Sequence, residues 1–162
     1  MTTEDVFHSR AKSDAVAYGF YFLDNKSSQM VYANGSIYRD LTPFLFPPPY
    51  EIPYRVMVPK DGPSNLLVSV GVSASPVSYG SIRMELQYME LGQAAGVAAV
   101  VAYRTGKTVD SIDVSRLQDA LEHSGDKVRL SDLCQTIDFF SRAQNGFSPF
   151  TCEPRILKNF SH

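Results

Sequence analysis

The stretch from Asn65 to Gly106, NLLVSVGVSASPVSYGSIRMELQYMELGQAAGVAAVVAYRTG, decides how the rest of this chain is organised. Its short apolar run, Leu66–Val70, predicts a strand that is covered on both faces. The segment from Gly71 to Gly80, rich in Gly, Ser and Pro, predicts a turn. A change of period at Ser81 predicts the start of a long helix, which Gly106 ends.

The predicted helix has Ser81 as its N-cap and Glu85 in its first turn, where an acidic side chain is favoured. Its buried stripe is expected to contain Ile82, Leu86, Met89, Gln93 and Gly96. Arg83 would lie in the first turn, where the helix dipole disfavours a cation. Either Arg83 is simply solvated, or it meets an anion or an electron-rich ligand atom together with the free N–H groups after Gly80.

Small residues between Gly92 and Ala99 make one face of this helix nearly flat. A flat face lets another backbone or a cofactor come close. Tight packing of the helix on a sheet is the favoured interpretation, and direct contact with a ligand is the alternative.

Several separated blocks of the chain resemble, in the right order, FAD-dependent oxidoreductases with a glutathione-reductase-type flavin fold. The most similar group is the bacterial xanthan-lyase-like set. The resemblance covers about residues 14–125, and the ordered set is specific whereas no single block is. The blocks are Tyr50–Lys60, Asn65–Val68, Ser73–Ser75, Tyr79–Arg83 and Leu91–Ala95.

The resemblance implies an α/β fold, which would be α+β as an isolated piece. The chain would be the C-terminal portion of a Rossmann-like FAD-binding domain, with antiparallel strands from a substrate-side sheet and with C-terminal helices. The implied cofactor is FAD, and the implied FAD-binding residues are Gly71, Ser73, Ser75, Gly80, Ser81, Ile82 and Arg83.

The resemblance also places a substrate pocket for a small molecule near Tyr54 and Arg55, on a strand predicted over Tyr54–Pro59. Pairing of Arg55 with a carboxylate is the structural alternative. No residue is assigned a catalytic role, and no metal site is predicted.

No Gly-x-Gly-x-x-Gly occurs in the 162 residues, although the family's dinucleotide fingerprint has this form. The resemblance therefore implies a C-terminal segment or subunit of a FAD-dependent oxidoreductase, one that does not hold FAD tightly alone. A partner chain with the missing half, or self-association, would complete it. The alternative is a non-catalytic globular or interaction protein that reuses the fold. Pro76 and Lys26, where many members carry His, favour this alternative.

Pro47–Pro49 would suit a polyproline ligand, but no basic anchor accompanies it, and a crossover inside the fold is favoured.

Four regions are predicted along the chain. The regions are a disordered or helical leader at 1–14, substrate-side strands and a Pro-rich crossover at 15–53, flavin-domain residues 54–125, and a helix with an unassigned tail at 126–162.

Local signals outside the opening stretch predict a strand, a hairpin and two helices. Asn34-Gly35 is a strong turn signal between two short runs of strand-forming residues. Asp113 and Gly125 are suited to begin and end a helix, in whose last turn His123 is favourable. The elements are a strand at Ala15–Leu23, hairpin strands at Gln29–Tyr32 and Ser36–Arg39, and helices at Asp113–Ser124 and Ser131–Arg142.

Composition excludes several classes of function. With 44% hydrophobic residues, 20% charged residues and a net charge of −2, the chain has no basic footprint for nucleic acid or a membrane surface. No apolar run reaches membrane-spanning length and no signal peptide is seen, so a cytoplasmic location is predicted. Cys134 and Cys152 are not spaced as metal ligands. They are interpreted as free thiols, with one disulfide as the alternative.

Overall fold

The computed structural model describes residues 1–24, 30–39 and 46–131. Within these ranges the fold is a mixture of helices and small antiparallel sheets. Its helices are α1 (Thr3–Phe7), α2 (Pro76–Ile82), α3 (Glu85–Thr105) and α4 (Val114–His123), with 3-10 turns at Tyr54–Met57 and Val109–Ser111. Its strands are β1 (Ala15–Gly19), β2 (Met30–Ala33), β3 (Ser36–Arg39) and β4 (Tyr50–Pro53).

The centre of the fold is the antiparallel pair formed by β1 and β4, on which α3 and α4 pack. All four residues of β4 are buried, as are four of the five residues of β1. Gly19 lies opposite Tyr50, and a Cβ atom on Gly19 would come within 2.7 Å of the Tyr50 ring. The ring therefore packs directly on the backbone of β1, which requires glycine at this position.

Helix α3 packs on the sheet with a side that differs from the predicted stripe. The buried side carries Gln87, Leu91, Ala94, Ala98 and Ala102. The predicted stripe was wrong, because Leu86, Met89, Gln93 and Gly96 are exposed. The helix has apolar residues on both sides, so periodicity alone did not distinguish them. Small Ala side chains lie inward because they allow the helix to approach the sheet closely.

The predicted helix start at Ser81 was wrong. Helix α2 begins earlier, with Ser75 as N-cap and Pro76 in the first turn, and Met84 then adopts an extended conformation that separates α2 from α3. A Ser followed by Pro is a strong helix start, and here it outweighed the change of period. Arg83 consequently lies at the C-terminal end of α2, where the dipole favours a cation.

Two predicted strands were also wrong. The segment Leu66–Val70 forms no strand, and Leu66 and Val70 are 42% and 54% exposed. It is attached to the preceding 3-10 turn by the Val68 N–H, which donates to the Met57 carbonyl at 2.8 Å. The strand predicted over Tyr54–Pro59 lies earlier, as β4, and the chain turns immediately after it. An apolar run forms a strand only where a neighbouring strand can pair with it.

Several local predictions were confirmed. The hairpin of β2 and β3 turns at Asn34 and Gly35, both with positive φ (50° and 76°). Helix α4 has Asp113 as its N-cap and His123 in its last turn, and Gly106 ends α3 in the left-handed conformation. The strand predicted over Ala15–Leu23 is confirmed for its first five residues.

The first residues of the chain are helical and packed. Thr2 and Asp5 form a capping box at the start of α1, and Val6 is fully buried. The Met1 amino group donates to the Ser73 carbonyl at 2.6 Å, and the Ser75 N–H donates to the Met1 carbonyl at 2.8 Å. The division of the chain into four regions stays a prediction.

The predicted helix Ser131–Arg142 lies, beyond its first residue, outside the described residues. So do Lys26 and both cysteines.

Glu51 on β4 holds two distant segments together. Its side chain is buried, and its carboxylate accepts hydrogen bonds from the Lys12 N–H at 2.6 Å and the Leu130 N–H at 3.1 Å. A carboxylate can accept both bonds because it has two acceptor oxygens. Residues preceding β1 and residues following α4 are thereby fixed to the central strand pair.

We expect Glu51→Leu to lower the free energy of unfolding by about 2–5 kcal/mol, because two buried N–H groups would lose their acceptor. Urea unfolding followed by circular dichroism measures this. The exposed Asp119→Leu on α4 is the control, and its effect should stay within about 0.5 kcal/mol. Equal effects of the two substitutions would contradict the bridging role of Glu51.

Candidate functional site

The segment predicted to contact a flavin, Gly71–Arg83, begins on the surface. Gly71 and Ser73 are exposed, and the Ser73 N–H donates to the Val56 carbonyl at 2.8 Å. The half-buried Ser75 caps α2, since its Oγ accepts from the Ser78 N–H at 3.3 Å. The backbone of this loop is therefore fixed on both sides, and the Ser73 side chain faces solvent.

The middle of the segment lies inside the protein. Gly80, Ser81 and Ile82 are buried. The Ser81 hydroxyl donates to the Tyr21 carbonyl, so the Tyr50 hydroxyl, 2.6 Å from Ser81 Oγ, donates to Ser81. Burial raises the pKa of Tyr50 to about 12, which keeps its phenol protonated. Ser81 thus connects β4 to the chain that follows β1.

Arg83 brings the segment back to the surface. Its guanidinium forms an ion pair with the Asp24 carboxylate and also donates to the Asp24 carbonyl at 3.4 Å. Both side chains are partly exposed. The Tyr88 hydroxyl donates to the Tyr79 hydroxyl at 2.7 Å close by. Burial and this hydrogen bond raise the pKa of Tyr88 to about 12, while the charge of Arg83 acts in the opposite direction.

The two predicted pocket residues, Tyr54 and Arg55, point to different parts of the molecule. The buried Tyr54 donates its hydroxyl to the Val109 carbonyl at 2.7 Å, and burial raises its pKa to about 12. Arg55 is exposed and forms an ion pair with Asp14, as the structural alternative expected. The role of this pair in a substrate pocket stays a prediction.

Only part of the segment Gly71–Arg83 reaches the surface. Its accessible groups are the Ser73 hydroxyl and the Arg83 guanidinium, beside the exposed backbone at Gly71. Helix α2 does not offer a cradle for a diphosphate, because Pro76 has no N–H and Ser75 already caps Ser78. The assignment of the seven residues to FAD stays a prediction.

A second feature is a recess of about 210 Å³ between β1, α3 and the end of α4. The Glu90 carboxylate accepts from the Tyr18 N–H at 3.4 Å, and Gln93 donates to Asp126 at 2.5 Å. The recess is lined by Val16, Tyr18, Glu90, Gln93, Leu121, Gly125, Asp126 and Lys127. The sequence did not indicate the recess, because it did not show which side of α3 faces β1 and α4.

Burial raises the pKa of Glu90 to about 7, and the charge of Asp126 adds to this effect. The Tyr18 N–H, which favours the charged form, acts in the opposite direction but does not outweigh burial. The recess therefore holds a carboxyl group that stays protonated to a higher pH than an exposed glutamate does. Among the described residues, no three His, Cys, Asp or Glu side chains are grouped to hold a metal ion.

We expect the removal of either hydroxyl of the Tyr50–Ser81 hydrogen bond to lower the free energy of unfolding, but by different amounts. Ser81→Ala leaves the buried Tyr50 hydroxyl without its acceptor and should cost about 1–3 kcal/mol of unfolding free energy. Tyr50→Phe leaves the Ser81–Tyr21 bond intact and should cost about 0.5–1.5 kcal/mol. Urea unfolding of both variants and of the double variant measures the coupling. Additive costs would contradict a direct contact.

The raised pKa of Glu90 predicts that the free energy of unfolding decreases as the pH rises. Its pKa is higher in the folded than in the unfolded chain, so folding binds a proton between about pH 4.5 and 7. The stabilisation that comes from this bound proton is complete below about pH 4.5 and is lost as the pH rises through about 7. Allowing for partial solvent screening, we expect about 1–2 kcal/mol from this residue. Urea unfolding at pH 5 and pH 8 measures it, and Glu90→Gln should remove the difference assigned to Glu90.

Comparison with known proteins identifies a family. The model of the family described as FAD dependent oxidoreductase matches residues 1–121, which is 121 of the 162 residues. The match includes the whole of Gly71–Arg83 as well as Tyr54 and Arg55. No curated protein and no solved structure matches the chain. No helix among the described residues is long and apolar enough to cross a membrane. The matched range confirms the resemblance, and the chain belongs to the FAD-dependent oxidoreductase family.

Proposed function

We propose that this chain supplies one wall of a flavin site in a FAD-dependent oxidoreductase. The observation that carries the proposal is the family match over residues 1–121, which includes the complete segment Gly71–Arg83. Of the residues in that segment predicted to bind FAD, Gly71, Ser73, Ser75 and Arg83 are at least partly exposed, so a ligand can reach them. FAD in such a site would supply the redox chemistry towards a small-molecule substrate.

In this proposal the chain is the C-terminal portion of the family's Rossmann-like FAD-binding domain. The sequence has no Gly-x-Gly-x-x-Gly, which members use to hold the diphosphate. A partner chain that carries this fingerprint would complete the site. The chain alone should then bind FAD weakly and show little activity.

Arg83 is the residue with the clearest role in the proposal. Asp24 orients its guanidinium, and the C-terminal position on α2 stabilises its charge. A fixed cation at the edge of a flavin ring or near a phosphate would favour the anionic form of the ligand. Ser73 adds a hydroxyl on the same stretch of chain, whereas the buried Ser81 and Ile82 hold that stretch in place.

A titration with FAD tests the proposal. We expect the purified chain to bind FAD with a Kd weaker than about 10 µM, measured by the change in visible absorption. Arg83→Gln should weaken binding by about threefold to tenfold through loss of a charge-assisted contact. Arg116→Gln, at an exposed position of α4, is the matched control and should leave the Kd unchanged.

Two results would contradict the proposal. The first is a folded chain whose addition leaves the spectrum of FAD unchanged up to about 1 mM. The second is binding that Arg83→Gln and Arg116→Gln affect equally. A folded chain without affinity for flavin would instead favour the alternative function, a non-catalytic interaction protein that reuses the fold.

A further inference from the structure

The recess between β1, α3 and the end of α4 combines a buried apolar lining with charged side chains. Val16 and Leu121 in this lining are buried, and Glu90, Asp126 and Lys127 are its charged members. A concave space with apolar walls and a few convergent polar groups is the usual form of a small-molecule site. Its volume of about 210 Å³ is below the roughly 300–1,000 Å³ of pockets for drug-sized ligands, so a ligand here must be small.

The polar groups that remain available in the recess are mainly hydrogen-bond acceptors. The Glu90 carboxylate accepts from the Tyr18 N–H at 3.4 Å, and a carboxylate has room for further donors. The Asp126 carboxylate accepts from the Gln93 amide at 2.5 Å and from the Ser124 hydroxyl at 3.1 Å. Because the Gln93 nitrogen is engaged in this bond, its carbonyl oxygen is the group left to bind a ligand. A molecule that enters the recess must therefore bring donors.

The charges of the recess favour a cation. Burial and then the charge of Asp126 raise the pKa of Glu90, and burial and then the charge of Glu90 raise the pKa of Tyr18. Carboxylates that face one recess with apolar walls focus a negative potential inside it. Lys127 is exposed and, within the described part of the chain, forms no ion pair with Glu90 or Asp126. Both carboxylates are thus available to a cationic ligand.

We propose that this recess binds a small organic cation, namely a primary ammonium group on a short apolar chain. An ammonium group has three donors, and Glu90, Asp126 and the Gln93 carbonyl supply acceptors for them. The apolar chain would lie against Val16 and Leu121. The proposal uses only the residues of the recess and does not depend on the proposed flavin site.

A metal ion suits the recess less well than an organic cation. Ca²⁺ takes about six to eight oxygen ligands, and Mg²⁺ keeps several of its waters. The recess offers the carboxylates of Glu90 and Asp126 beside the apolar side chains of Val16 and Leu121. Apolar walls stabilise a carbon chain by removing it from water, which they cannot do for a hydrated ion.

A nuclear magnetic resonance titration of the ¹⁵N-labelled chain with n-propylammonium chloride, at constant ionic strength, tests the proposal. We expect saturable binding with a Kd of about 1–10 mM. The largest shifts should occur at the Tyr18 backbone N–H and the Gln93 side-chain amide, because the ligand would contact the acceptors of both groups. The neutral 1-propanol should bind at least about tenfold more weakly, and methylammonium about fivefold to tenfold more weakly because it lacks two methylene groups.

Substitutions that keep the hydrogen bonds and remove one charge test the two carboxylates. Glu90→Gln retains an acceptor for the Tyr18 N–H and should weaken binding of n-propylammonium about tenfold. Asp126→Asn retains an acceptor for the Gln93 amide and should have a similar effect. Glu85→Gln removes the same charge from an exposed position of α3. It is the matched control and should leave the Kd unchanged.

Lys127→Gln tests the sign of the ligand charge. Removal of this cation should strengthen the binding of n-propylammonium by about twofold, whereas it would weaken the binding of an anion. Circular dichroism and the dispersion of the amide signals check that each variant is folded.

Four results would overturn the proposal. They are shifts that do not saturate up to about 100 mM, equal affinities for n-propylammonium and 1-propanol, equal effects of Glu90→Gln and Glu85→Gln, and Ca²⁺ that moves the same signals at lower concentration than n-propylammonium does. The FAD titration is read separately by visible absorption, so failure of the cation site and failure of the flavin proposal can be distinguished.

Discussion

The contact between the Ala-lined side of α3 and the β1–β4 pair is the interaction on which the rest of the structure depends. Ala94 and Ala98 are fully buried, and their small side chains bring the helix close to the strands. Such an approach excludes water from β1, whose residues could not remain buried if the helix moved away. Burial of the apolar surface along this contact is the main stabilising term for the domain.

Elements with local signals were predictable from the sequence, and elements that depend on distant partners were not. Asn34-Gly35 defines its turn through its own preference for positive φ, and Asp113 caps α4 through its own side chain. Whether Leu66–Val70 forms a strand depends on a pairing neighbour, which a short apolar run does not specify. The same limit applies to α3, because both of its sides carry apolar residues and only the sheet decides which one is covered.

In the candidate site, too, the sequence indicated which residues matter but not which residues they contact. The sequence marked Ser81 and Arg83 as important, but it did not reveal that Ser81 lies inside the protein and connects Tyr50 to Tyr21. Arg83 was expected to be disfavoured in a first turn, yet it occupies a favourable helix end beside Asp24. Both positions arise because α2 begins at Pro76. Ser81 and Arg83 therefore lie at the end of a helix and not at its start.

The internal packing of this fold leaves one apolar side of α3 exposed among the described residues. Glu51 and Ser81 satisfy buried polar groups within the chain, whereas the buried Gln87 Oε1 on α3 has no hydrogen-bond partner among the described residues. The side of α3 away from the sheet is different, since Leu86, Met89 and Tyr103 there are apolar and exposed. Covering it gains free energy without changing the core, which makes association compatible with a fold that is already formed.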